Sequence, residues 1–426
     1  MENIVLLSKR SKVGSILYWL FVYQCFCCFL IKNFGVPKTI SFGIDFFYVI
    51  ILVYVLKQKT SKELLLPKVI LCTLIISTVV GTVVNSAELT NWIWGARSEF
   101  WGMAVLFACV KFLTLSDIER IMKFFFKFQF LNLACAAYQY HVLGYYQDFN
   151  NGAFLGGAYQ DVFCALLFTY YFYKYIRHED KLWKLVFVGL SGLYIAVVEE
   201  EKFIFIEFAG IIAYYFVSTG MNFAKILIMA GCVAAGVIAL PILNSVNGQD
   251  SMEMLTSWDN FIGYATMTGY GYELPRLGSS SIISAKFFGD TTQDFFGLGL
   301  GMCEDASTVP FINTAFFQQW SWLHYMWFTF QIQFMQTGWI GIILYIAFFV
   351  SILAVNLVCR KNIPGNYKYF ADFSVAMSFI AIAVIWYSCS TRGQAGNFVF
   401  FAIAIGMAIN RQLKSNKNIK KLCKQK

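Results

Sequence analysis

The chain has 426 residues and a net charge of +9; 58% of its residues are hydrophobic, 19% aromatic and only 13% charged. Soluble domains carry about 25% charged residues, and no single soluble core hides this much Phe, Tyr, Ile and Leu. The composition excludes a soluble enzyme or a nucleic-acid-binding domain and points to an all-α, polytopic membrane protein for which lipid is part of the solvent.

A spanning helix needs roughly 20 apolar residues to cross about 30 Å of hydrocarbon. In chain order the segments that qualify are 13–31, 40–56, 66–84, 97–115, 121–143, 159–176, 182–198, 202–218, 223–243, 338–358, 370–388 and 396–410, twelve in all. The first lacks a small-residue cleavage site before Lys32 and reads as a transmembrane helix, not a signal peptide. Many of the 12 cysteines lie within apolar runs without metal-ligand spacing, so they read as small reduced apolar residues and no metal site is expected.

Basic residues should gather in alternate connections if the N-terminus is cytoplasmic. Of the 33 Lys and Arg, only Lys32, Lys38, Arg97, Lys202, Arg276, Lys286 and Arg392 fall on the other side. This split predicts twelve spans with both termini in the cytoplasm. The connection 244–322 is then a long extracytoplasmic loop within a single membrane domain covering 1–426. Loops beyond about 12–15 residues are uncommon unless functional or disordered. This one holds Trp258, Phe261, Tyr264, Tyr270, Tyr272, Phe287, Phe288, Phe295 and Phe296, too many aromatics for disorder. It should fold against the membrane face through short helices.

The external cations are informative because the topology rule selects against them. Taken singly, they read as interfacial ion pairs, Arg97 with Glu99 and Lys202 with Glu199 or Glu201. Taken together, several converging on one cavity would bind an anion, with the fork of Arg suited to phosphate oxygens. His324, in Trp320-Ser-Trp-Leu-His-Tyr-Met-Trp-Phe328, would share a helix face with Trp320, Trp327 and Phe328 at the aqueous boundary. It reads either as a member of an aromatic belt or as a general base near neutral pH.

In these features the chain resembles the O-antigen polymerase and ligase superfamily, the Wzy-type membrane glycosyltransferases. Arg276 in the long loop precedes a Gly-rich stretch, Phe295-Phe-Gly-Leu-Gly-Leu-Gly301; His324 follows, then Gln336-Thr-Gly-Trp-Ile-Gly341 leading into a helix. Glu201-Lys202 stands where such proteins carry a Ser-Arg pair. Three departures are visible: Lys in place of Arg at 202, Gln336 where Glu is common, and Phe287 where an Arg-x10-Gly pattern would need Gly.

The resemblance implies a GT-C-like architecture in a bacterial cytoplasmic membrane. It implies metal-independent, inverting transfer from an undecaprenyl-pyrophosphate-linked glycan, with no cofactor and no nucleic-acid partner. A chain-length regulator and a flippase would be its partners, beside membrane lipid. Under that mechanism Arg276, Lys202 and Arg97 hold the pyrophosphate and His324 takes the acceptor's proton. Glu199, Glu200 or Glu201 would orient or replace that base, and the glycines at 297–301 would turn the backbone beside the substrate. The alternatives are ligase-type transfer of a finished glycan to another acceptor, or a lipid-linked glycan flippase or transporter. Asp45 and Glu207 within predicted spans would permit the latter through proton coupling.

Overall fold

The structure, a computed structural model, describes residues 10–57, 62–145, 149–219, 258–266, 274–309 and 311–424. Among the described residues every regular element is helical. The helices are α1 (Lys12–Phe34), α2 (Gly43–Leu56), α3 (Leu65–Val84), α4 (Leu89–Phe112), α5 (Leu115–His141), α6 (Gly157–Ile176), α7 (Leu182–Val198) and α8 (Phe203–Thr219). They continue with the short α9 (Trp258–Thr266), α10 (Ser279–Phe287), α11 (Thr291–Phe296) and α12 (Ala315–Trp320), then α13 (Thr329–Asn362), α14 (Lys368–Tyr387) and α15 (Gly396–Lys424). Each predicted span except 223–243, which lies outside the described residues, coincides with a helix. Among the described residues five helical segments are both long and apolar enough to cross a membrane: Lys12–Phe34, Lys38–Leu56, Leu65–Val84, Thr329–Asn362 and Gly365–Tyr387. α7 and α8 are equally apolar but shorter, at 17 residues each.

Local sequence explains several boundaries. The Ser11 side chain accepts from Gly14 N at 2.6 Å and starts α1, while Thr114 and Asp117 form a reciprocal capping box that starts α5. The lateral pattern is inside-out. Val69, Ile76, Val80 and Val83 on α3 and Leu182, Val186 and Leu190 on α7 are exposed at helical spacing. The amides of Gln24, Asn132, Gln160, Gln331 and Gln336 are buried. Such a surface suits lipid, and buried amides suit helices joined by polar contacts rather than by a hydrophobic driving force. α15 lies at the centre, every residue from 396 to 410 being buried, and packs on α4, α13, α14 and α6. A helix apolar all round has no solvent face and must be enclosed.

The long loop does more than cover a face. Residues 297–303 wedge between α3, α4 and α13, where α13 is broken at Gly338 (φ 59°, ψ −162°). The break leaves carbonyls without their helical donors, and the loop supplies them: Leu298 N donates to Met335 O at 2.8 Å and Gly299 N to Gln336 O at 3.1 Å. Gly301 N donates to Gln336 Oε1 at 3.2 Å. Irregular backbone within a membrane protein is tolerated where protein satisfies it in this way. The Gln336–Gly341 motif does lead into a helix, as its sequence suggests, since helical backbone starts afresh after Gly338; what the sequence does not announce is the helical stretch from Thr329 that ends at the same kink. The stretch before it falls outside the predicted span 338–358; its Gln331 amide is buried and donates to Leu274 O and Pro275 O at 3.3 and 3.0 Å.

Gly338 is a position where only glycine serves. Its backbone falls in a region essentially closed to other residues, and a Cβ there would collide with the carbonyl of Phe295. Gly338→Ala is expected to destabilise the protein by about 2–4 kcal/mol, combining backbone strain with displacement of the loop. A lowered unfolding midpoint in detergent would show it, whereas the neighbouring Thr337→Ala should cost less.

Candidate functional site

A cavity of about 510 Å³ opens where the α7–α8 connection, the start of α6, the long loop and the end of α14 meet. Lys202, Arg276, Glu200 and Glu201 all line it. Two of the three predicted anion-binding cations thus converge, from connections separated by more than 70 residues of sequence.

The connection is a tight turn built for this placement. Glu199 ends α7, Glu200 adopts left-handed backbone (φ 59°), and Lys202 N donates to Glu200 O at 2.9 Å. The turn brings Lys202 Nζ to 3.1 Å from Glu200 Oε1, a partner that the sequence does not suggest. Glu199 instead faces inward, where it accepts from Gln160 Nε2 at 3.1 Å. Burial, with Glu201 beside it, pushes the Glu199 carboxyl well above its usual range.

Arg276 is held by aromatic faces. Its guanidinium carbon lies 4.9 Å from the Phe328 ring and 5.3 Å from that of Tyr387. Tyr387 in turn stacks on Phe203 at 4.2 Å. Rings pack on the faces of a guanidinium, whose N–H groups make their hydrogen bonds in its own plane.

The third source of positive potential is a helix end. Gly156, Gly157 and Ala158, the first turn of α6, line the cavity. A Cβ on Gly157 would collide with Glu201 Oε1, so glycine is what lets that carboxylate approach the helix N-terminus. An N-terminus presents unsatisfied N–H groups and the positive end of the helix dipole. Below this, Ser388 lines the cavity and donates to Asp161 Oδ2 at 3.0 Å, and Ser390 donates to the same oxygen at 3.2 Å.

The other predicted residues lie elsewhere. Arg97 is not among the lining residues; its Nε pairs with Asp45 at 2.9 Å and its guanidinium packs over Trp94 at 4.8 Å and Phe42 at 5.5 Å. The Arg97–Glu99 pair suggested by the sequence does not form, because residues two apart on a helix point away from each other. Glu99 binds Arg392 Nε at 2.8 Å, and Glu304 binds Arg392 Nη2 at 2.7 Å, all three groups being buried. Burial alone would draw the Arg392 pKa down, but Glu304 and Glu99 more than offset it and raise it.

His324 does not share a helix face with Trp320, Trp327 and Phe328. It sits at φ 57° between two 3-10 turns, Ser321–Leu323 and Tyr325–Trp327, which interrupts any helix there. Its ring lies 3.9 Å from that of Trp327, and Trp327 rather than His324 lines the cavity. The glycines of 297–301 serve the break in α13 and are not part of the cavity wall either.

Sequence reasoning passes over the Gly156-Gly157 helix start, Tyr387, Ser388 and Asp161. Asp161 carries a readable signal, an acid inside the apolar segment 159–176. No family model and no curated protein matches the chain.

Proposed function

We propose that this chain is a membrane glycosyltransferase that polymerises undecaprenyl-pyrophosphate-linked repeat units into an O-antigen, capsular or exopolysaccharide. On this reading it crosses a bacterial cytoplasmic membrane twelve times in a GT-C-like arrangement. Both termini are cytoplasmic, as the distribution of Lys and Arg favours, and the cavity faces outward. The observation that carries the proposal is the cavity itself: Lys202, Arg276 and the N-terminus of α6 converge on a space now held by Glu200 and Glu201. That is the charge pattern a pyrophosphate requires, and the volume lies within the roughly 300–1,000 Å³ typical of small-ligand sites.

The arrangement supports a stepwise account. The pyrophosphate takes the place of Glu201 at the α6 N-terminus, with the Arg276 fork on two of its oxygens and the Lys202 ammonium on another. The acceptor's sugar hydroxyl oxygen attacks the anomeric carbon. The bond from that carbon to the phosphate oxygen breaks, and its electron pair leaves on undecaprenyl pyrophosphate. The two cations stabilise the charge that develops there. The hydroxyl proton passes to the displaced Glu201 carboxylate, whose position in the cavity favours it over His324 as base. His324 is then a positioning residue that supports the Trp327 wall.

Ligase-type transfer uses the same chemistry with another acceptor, and the lipid-linked pool in cells separates the two. Cells lacking the chain should accumulate single lipid-linked repeat units at the outer face. Full-length lipid-linked chains would instead mark a ligase, build-up confined to the cytoplasmic face a flippase, and an unchanged glycan would overturn the assignment.

A further inference from the structure

A second cavity, of about 290 Å³, lies on the seam between α1 and α5 and is unrelated to the first. Arg10, Arg120, Lys123 and Lys127 line it, with Glu119 the one acid among the lining residues. Positions 120, 123 and 127 are spaced three and four apart and share one face of α5. Arg10, immediately before α1, completes the ring of charge from the facing chain. The Arg120 guanidinium carbon lies 3.7 Å from the Tyr18 ring, which fixes it in the seam instead of leaving it free in water.

Basic residues at a membrane boundary are ordinary, and by themselves they would say only where the membrane ends. Here an apolar track continues from the charged end. Phe124, in the cavity wall, meets the rings of Tyr18, Phe26 and Phe128 at 6.0, 6.3 and 5.9 Å. Trp19 and Phe26 are 53% and 44% exposed. Phe26 stands eight residues beyond Tyr18 along α1, roughly 12 Å at the helical rise, within reach of one acyl chain.

The geometry points to a binding site for an anionic phospholipid on this seam. The phosphodiester sits among Arg10, Arg120, Lys123 and Lys127, and an acyl chain lies along Phe124 and Phe26. A free phosphate would use the charges and leave the apolar track bare, so the continuity of the two favours lipid. On the topology proposed above, the site faces the cytoplasmic leaflet.

Native mass spectrometry of the purified full chain tests this, with phosphatidylglycerol and phosphatidylcholine of matched acyl chains as probes. Wild-type protein should retain phosphatidylglycerol at least ~10-fold better, given about 1 kcal/mol per basic residue near an anionic surface. The triple variant R120Q/K123Q/K127Q should lose that preference, and Glu119→Gln, which keeps every cation, should raise it. Inorganic phosphate in millimolar excess should displace little of the bound lipid. A triple variant that keeps the preference, or a Glu119→Gln variant that leaves it unmoved, overturns the proposal. Complete displacement by inorganic phosphate also overturns it, in favour of a soluble anion.

Discussion

Arg276→Ala is expected to lower glycan elongation by about 10²–10³-fold, the loss seen when one preorganised donor to developing charge is removed. The side chain lines the cavity between the Phe328 and Tyr387 rings. Because it packs between the start of α13 and the end of α14, protein level is measured beside activity, and the loss of rate should exceed any loss of protein. Arg276→Lys should recover only a small part of the rate. An ammonium keeps the charge, but it neither binds two phosphate oxygens at once nor lies flat between two rings. Lys202→Met should cost less than Arg276→Ala, because Glu200 already engages the ammonium and Arg276 would remain. Rates are measured as repeat units added per unit time in membranes matched for protein content. Equal rates in wild type and Arg276→Ala would remove the cavity from the reaction.

Arg392→Ala should act on the fold rather than on the chemistry. Its guanidinium bridges Glu99 on α4 and Glu304 in the long loop, and all three groups are buried. Gln336, at the break in α13, donates from Nε2 to the same Glu304 oxygen at 3.2 Å. One cation therefore ties together the loop, the break and the helix packed on α15. Removing it leaves two buried carboxylates facing each other, a change that costs about 3–5 kcal/mol. Arg392→Lys should recover little, since Nε serves one acid and Nη2 the other. Glu99→Gln should cost less than Arg392→Ala, because the Arg392–Glu304 pair survives. Unfolding midpoints in detergent rank the three, and an Arg392→Ala protein as stable as wild type would show that the cluster does not brace the loop.

Helix positions were legible because they rest on local apolar runs, as in α3 and α13, which no tertiary contact has to supply. Convergence of Lys202 and Arg276 was legible because charge on the wrong side of the topology predicted from the sequence needs a reason. The partners of those charges were not legible. Arg97 pairs with Asp45 and Arg392 with Glu99, contacts made across the bundle between residues 52 and 293 positions apart. The break at Gly338 was hidden because its cause lies in residues 297–301, which satisfy the carbonyls it frees. His324 was misread for a related reason. The aromatic run around it has helical spacing, but its own left-handed backbone breaks the run. The α6 N-terminus left only Gly156-Gly157 as a trace, and its meaning depends on Glu201 arriving from another connection.

The central claim is that the Arg276–Lys202 cavity transfers sugar from a pyrophosphate-linked donor. The most direct measurement supplies purified chain, in proteoliposomes, with the lipid-linked oligosaccharide that accumulates in cells lacking it. The account predicts a ladder of products, each one repeat unit longer, with one undecaprenyl pyrophosphate released per bond and both signals lost in Arg276→Ala. Failure of the wild-type chain to elongate the donor, while the lipid-linked unit crosses the bilayer in its presence, would contradict it.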